Sequence, residues 1–126
     1  MCVEKDEWGE TFAHVVNGVK VFAMGADYIP RRTPPWKINS AKRRQLLMDA
    51  KLANFNSIRV WGGGYYPDDE FYDLCDELGL IVWEDFMFAC SVYELTPEFE
   101  ANITQEFIDN IKRLRHHASP WPLVRK

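Results

Sequence analysis

Ser57-Ile-Arg-Val-Trp-Gly-Gly-Gly-Tyr-Tyr-Pro-Asp-Asp-Glu-Phe-Tyr-Asp-Leu-Cys-Asp-Glu-Leu-Gly-Leu-Ile-Val-Trp-Glu-Asp-Phe86 carries two apolar runs with an amphipathic segment between them. It opens with a short strand, Ser57 to Trp61, closed by Gly62-Gly63-Gly64 and turn residues through Pro67. A helix follows from about Asp68 to Leu78. Phe71, Leu74, Cys75 and Leu78 make its apolar stripe at helical spacing, and Gly79 is placed to end it. Leu80 to Phe86 then reads as a second strand, nearly all apolar, as expected when both faces are covered. Strand, helix and strand of these lengths imply a parallel βα unit.

The same order extends outward in both directions. Upstream, Phe12 to Phe22 reads as two short strands around Asn17-Gly18, a dipeptide suited to the positive φ angles of a tight hairpin turn. The second of these strands is expected to run on through Ala23 to Pro30, followed by a proline-bearing loop from Arg31 to Trp36. A helix is predicted from about Ser40, as N-cap, to Ala53, with Leu46, Leu47, Ala50 and Ala53 on one face. Downstream, Thr96 caps a helix from about Pro97 to Arg115, whose apolar positions include Phe99, Ile103, Phe107, Ile111 and Leu114. The fold class is therefore α/β. Three βα units make a poor doubly wound sheet and a good first part of a (β/α)8 TIM barrel, here preceded by a short β-hairpin and incomplete. Residues 1–11 read as a leader into the barrel, 12–119 as the partial barrel, and 120–126 as an aberrant tail.

Composition narrows the classes of function. Of the 126 residues, 47% are hydrophobic and 27% charged, which is ordinary globular composition. The net charge of −4 argues against nucleic-acid binding through a general basic surface. No apolar stretch approaches the length of a membrane span, and the start lacks the apolar segment of a signal peptide, so a cytoplasmic location is expected. Cys2, Cys75 and Cys90 form no CxxC pair, and Cys75 and Cys90 are expected as buried free thiols.

In a βα barrel the active site forms at the C-terminal ends of the strands. Asp27 follows the first strand, Arg59 and Trp61 end the second, and Glu84 and Asp85 end the third. Asp27, Arg59 and Asp85 share one edge of the predicted sheet. Such a rim suits a sugar, because charged groups hydrogen-bond hydroxyls and an indole face stacks on the ring. A structural salt bridge from Arg59 to Asp85 or Asp27 is the plainer alternative, and Trp61 serves core packing or ligand stacking equally well. Glu84 alternates with Asp85, so it points to the other side of the strand, in a structural role. Gly62-Gly63-Gly64 lacks the spacing of either phosphate loop and reads as a turn close to a ligand or to neighbouring backbone. Lys42-Arg43-Arg44 reads as a solvated face. His116-His117 places cations at a helix C-terminus, and adjacent helical histidines point apart, so no metal site is expected.

Asn17-Gly-Val-Lys-Val-Phe-Ala-Met-Gly-Ala-Asp-Tyr-Ile-Pro30 resembles the start of the catalytic barrel in glycoside hydrolase family 2. Ile58-Arg-Val-Trp-Gly-Gly-Gly-Tyr65, Phe71 to Cys90 and Arg113-Leu-Arg-His-His117 narrow the resemblance to the β-mannosidase branch. The resemblance implies a retaining exo-acting enzyme that removes terminal β-D-mannose from oligosaccharides, without a cofactor. It implies an acid/base and a nucleophile glutamate about 5–5.5 Å apart, both beyond Lys126, so that no residue of this chain is expected to be catalytic. What carries over is the sugar-binding rim: Arg59, Trp61, Asp85 and Asp27. The implied partners are a mannose-containing oligosaccharide and a complementary barrel fragment, with neither nucleic acid nor membrane. Another family 2 activity, of β-galactosidase or β-glucuronidase type, and a non-catalytic sugar-binding fragment are the alternatives.

Two segments depart from the family's pattern. Arg31 to Lys37 lacks the acidic residues expected after Ile-Pro. Pro120-Trp-Pro-Leu-Val-Arg-Lys126 does not read as the apolar fourth strand. Codons for those seven residues, read one nucleotide later, can give Leu-Gly-Leu-Trp-Cys-Gly-Asn, which is close to the family's strand. A shift of reading frame near Ser119 is the expectation.

Overall fold

The computed structural model describes residues 2–30 and 39–121, so the departing loop at 31–37 and most of the tail lie outside the described residues. Two sheets and three helices make up the described chain. The first sheet has the order β1-β2-β3, comprising Cys2–Lys5, Glu10–Val16 and Val19–Val21, all antiparallel. The second has the order β4-β5-β6-β7, comprising Gly25–Tyr28, Ser57–Val60, Ile81–Glu84 and Pro120–Trp121, all parallel. Helices α1 (Ser40–Leu52), α2 (Asp69–Leu78) and α3 (Pro97–Leu114) connect the strands of this parallel sheet. Sequential parallel order with a helix in each crossover is the βα pattern read from the sequence.

The N-terminal region corrects two expectations. Residues 1–11 are not merely a leader, because Cys2–Lys5 pairs with Glu10–Ala13. The turn between them is built by Asp6, whose Oδ1 accepts from the backbone N–H groups of Trp8 (2.8 Å) and Gly9 (2.9 Å). The Asn17-Gly18 hairpin forms as read, with φ of 49° and 81°. Its second strand does not continue to Pro30: β3 ends at Val21 and β4 begins at Gly25 in the other sheet. Asn56 holds the break, accepting from the Met24 N–H and donating to the Phe22 carbonyl, both at 2.8 Å.

One face of the parallel sheet carries the core. Ile58, Val60 and Val82 meet Leu47 of α1, Phe71 and Cys75 of α2 and Leu114 of α3, all buried. Tyr28 stacks on Phe71 with ring centroids 4.8 Å apart. Asp68 caps α2, and Gly79 ends it in the left-handed region at φ 65°. Thr96 caps α3 as read. The N-cap of α1 is Asn39 rather than Ser40: its side chain accepts from the Lys42 N–H at 3.2 Å. The predicted face of α1 is also rotated. Leu47 is buried, but Leu46 and Ala53 are exposed, and the buried partner of Leu47 is Arg43. Cys75 is buried, and burial pushes its thiol up to about 12. Cys90 is exposed in a loop at φ 56°, against expectation.

Arg43 is the clearest departure from the reading of Lys42-Arg43-Arg44 as a solvated face. Its side chain is 4% exposed and bridges α1 to the start of α2, bonding Asp68 at 2.6 and 2.9 Å and Glu70 at 2.7 Å. A guanidinium suits two carboxylates because its donors form a planar fork. Arg44 pairs with Glu77 at 2.8 Å on the surface. Removing a buried charge strands its partners, but Asp68 and Glu70 are about half-exposed and regain water. Arg43→Ala is therefore expected to cost about 2 kcal/mol in urea unfolding, and Arg44→Ala less than about 1 kcal/mol.

The tail meets the sheet at its start. Val82 donates its N–H to the Ser119 carbonyl at 2.8 Å, and Pro120 and Trp121 pair in parallel with Val82 and Trp83. The first two residues read as aberrant thus occupy a strand position beside β6. A clasp fixes this approach. Asp76 of α2 accepts from the Ser119 N–H at 2.6 Å, and its other oxygen lies 2.8 Å from Nδ1 of the buried His117. Burial works against the Asp76 charge, yet the bonds from Ser119 and His117 hold the carboxyl below its usual range. Among the described residues, no helix is long and apolar enough to cross a membrane.

Candidate sugar-binding rim

Strand alternation separates two chemistries on the parallel sheet. Ile58, Val60, Val82 and Glu84 face the helices, and Arg59, Trp83 and Asp85 face the opposite, more open side. Asp27 is the register partner of Arg59, which in turn pairs with Trp83. The C-terminal ends of β4, β5 and β6 therefore bring Asp27, Arg59 and Asp85 together, as the sequence implied.

Arg59 sits between the two carboxylates. Its NH2 group donates to Asp85 Oδ2 at 2.6 Å and its Nε to Oδ1 at 3.4 Å. Its NH1 group donates to Asp27 at 3.2 and 3.4 Å. Burial is the largest single influence on Arg59 and opposes its charge, but the bonds to Asp85 and then Asp27 outweigh it and raise its pKa. The salt bridge that the sequence offered as the plainer alternative is present, on the same residues as the candidate rim. The side chains of Arg59 and Asp27 remain 40% and 53% exposed, which leaves donors and acceptors for hydroxyls, while Asp85 is 16% exposed.

The triglycine segment is shaped by close approach. A Cβ on Gly62 would stand 2.3 Å from the Phe86 carbonyl oxygen, and the Gly62 N–H donates to Asp85 Oδ2 at 3.2 Å. A Cβ on Gly63 would stand 2.0 Å from Trp61 Cη2, so the indole of the half-buried Trp61 lies against that glycine. Gly64 lies against Pro30, at the end of the segment after β4. Pro30 after β4, Gly62 and Gly64 after β5 and Phe86 after β6 thus lie close to one another beside the candidate rim.

Glu84 points away from it, as alternation required. It is fully buried and accepts from the Tyr72 hydroxyl at 2.8 Å. Burial pushes its carboxyl up to about 8, against the downward pull of Tyr72 and Arg113. The sequence reading missed Trp83, whose Nε1 donates to Asp85 Oδ1 at 3.0 Å. Its position two residues before Asp85 on the same strand was the available signal.

No family model matches the chain. A β-mannosidase of Bos taurus is 42% identical over 111 residues, 88% of this chain and 13% of the relative. A β-mannosidase B of Aspergillus niger is 44% identical over 114 residues, 90% of this chain and 14% of the relative. The crystal structure of a β-D-mannosidase from Dictyoglomus thermophilum superposes with a TM-score of 0.90 at 43% identity, covering 96% of this chain and 15% of that one. The chain is β-mannosidase-like over this stretch. It spans 13% to 15% of the length of these β-mannosidases. Its two sheets and three helices match part of that β-D-mannosidase structure.

Proposed function

We propose that this β-mannosidase-like chain forms the first three βα units of a (β/α)8 barrel and supplies the mannose-holding rim of a retaining β-mannosidase. The supporting observation is the Asp27–Arg59–Asp85 constellation at the C-terminal ends of three parallel strands. Arg59 and Asp85 hold mannose hydroxyls, Asp27 adds an acceptor, and Trp61 lines the pocket. Charged groups bonding to hydroxyls orient the sugar more strongly than neutral ones.

The same geometry argues that the chain by itself does not turn substrate over. Retaining hydrolysis needs one carboxyl as acid/base and another as nucleophile. Asp27 and Asp85 both accept from Arg59, and Glu84 is buried on the other face. The reaction's glutamates then belong to a complementary barrel segment. No described strand pairs with the outer edge of β4. Beside that edge lies a groove of about 280 Å3 lined by Ala26, Leu46, Ala50 and Phe55, suited to the apolar face of such a segment.

The purified chain is expected to leave an aryl β-mannoside uncleaved and to bind methyl β-D-mannoside weakly. Saturation-transfer NMR should detect that binding, and Arg59→Ala should abolish it. Turnover above a blank would overturn the first expectation. Binding that survives Arg59→Ala unchanged would overturn the assignment of the rim.

A further inference from the structure

Trp83 has a place in this rim that neither its strand nor its burial requires. Asp85 has two oxygens and four donors around them. Oδ2 takes the Arg59 NH2 group at 2.6 Å and the Gly62 N–H at 3.2 Å. Oδ1 takes the Trp83 indole N–H at 3.0 Å and only a long bond, 3.4 Å, from Arg59 Nε. Without the indole, Oδ1 keeps only that long contact, and the carboxylate is free to turn about its last torsion, which is broad for aspartate. The guanidinium that reads both oxygens would turn with it.

The indole itself is braced from the other sheet. Phe12 meets it edge-on at 6.2 Å and 66°, and His14 at 6.1 Å and 83°. These are favourable aromatic geometries. Phe12 and His14 alternate on β2, so one face of the antiparallel sheet leans on Trp83.

We infer that Trp83 is a positioning residue for the rim: its N–H fixes the Asp85 carboxylate, and Phe12 and His14 of the N-terminal sheet fix its ring. The arrangement makes the antiparallel sheet part of the sugar site without any of its residues touching sugar. Preorganised groups bind better because their ordering cost falls before the ligand arrives. This inference rests on the rim being the sugar site, but its geometry can be tested without sugar.

Trp83→Phe keeps an aromatic ring against Phe12 and His14 and removes the N–H. The Arg59 Nε–H signal in 1H–15N NMR then reports the state of Asp85. Its exchange with water is expected to quicken about tenfold in the variant, a loss of protection consistent with local opening, while the amide spectrum of α2 stays in place. The reciprocal variant, Asp85→Ala, guards against a fold that fails in Trp83→Phe. There the Trp83 indole N–H should exchange about tenfold faster. Unchanged exchange in either folded variant would overturn the inference. With methyl β-D-mannoside as the probe, Trp83→Phe should weaken binding about fivefold in the native background and leave the residual affinity of Asp85→Ala unchanged, the non-additivity of two residues acting as a unit. Equal losses in both backgrounds would also overturn it. Absence of mannoside binding in the native chain counts against the proposed function alone, and the Arg59 and Trp83 exchange rates still decide the positioning role.

Discussion

Glu84→Gln should remove most of the pH dependence of this chain's stability between about pH 4.5 and 8. Glu84 is fully buried, and burial lifts its carboxyl from 4.5 to about 8. Within that window the folded chain holds a proton that the unfolded chain has lost. The contribution from this group is complete below about pH 4.5, falls as pH rises, and is gone once pH passes about 8. A shift of this size corresponds to a few kcal/mol, on the order of 3 to 5. Glutamine occupies the same volume, stays neutral and still accepts from the Tyr72 hydroxyl. Urea unfolding of both proteins at pH 5 and pH 8 checks the claim. Near-equal stability at pH 5 and a clear advantage for the variant at pH 8 are expected. Parallel pH profiles would show that Glu84 is not held neutral. Asp76 acts in the opposite sense, since its lowered pKa gives stability that is lost as pH falls, and comparing variant with parent cancels that contribution.

Gly25→Ala is expected to cost at least about 3 kcal/mol, more than an ordinary glycine replacement. Gly25 lies opposite Ser57 in the β4–β5 register, and an added Cβ would stand 1.8 Å from the Ser57 carbonyl oxygen. Backbone cannot yield there as a side-chain tip can. The strand must move away, which separates Asp27 from Arg59 and disturbs the stacking of Tyr28 on Phe71. Gly18→Ala is the comparison. A Cβ there meets nothing within 4 Å, but φ is +81°, so the cost is conformational, about 1 kcal/mol. Thermal or urea unfolding separates the two. Equal costs would contradict the close-packed β4–β5 interface.

Much of the arrangement was legible because it depends on periodicity. The apolar runs Ser57–Trp61 and Leu80–Phe86 became parallel strands, and the stripe of Phe71, Leu74 and Cys75 became the buried face of α2. Alternation alone separated Glu84 from Asp85. Asp27, Arg59 and Asp85 could be brought together because parallel strands share one C-terminal edge. The features missed depend on the partner that an individual side chain bonds, which hydropathy spacing does not encode. Strand β1 was unread because its turn is made by the carboxylate of Asp6 rather than by a glycine-rich dipeptide. Arg43 looks solvated until α2 brings Asp68 and Glu70 against it. Ile111, placed on the apolar stripe of α3, is 41% exposed, and only Leu114 of that helix is buried. Trp83 reads as one more apolar residue of its strand, and only its same-face spacing from Asp85 points to the bond between them.

The proposed function requires a mannoside to bind on the open side of the parallel sheet, at Arg59. A 1H–15N NMR titration of the chain with methyl β-D-mannoside locates that binding residue by residue. Shifts concentrated at the Arg59 Nε–H, the Trp61 indole and the Gly62 amide are predicted. Shifts confined to the helix-covered face, or none at saturating sugar, would contradict it.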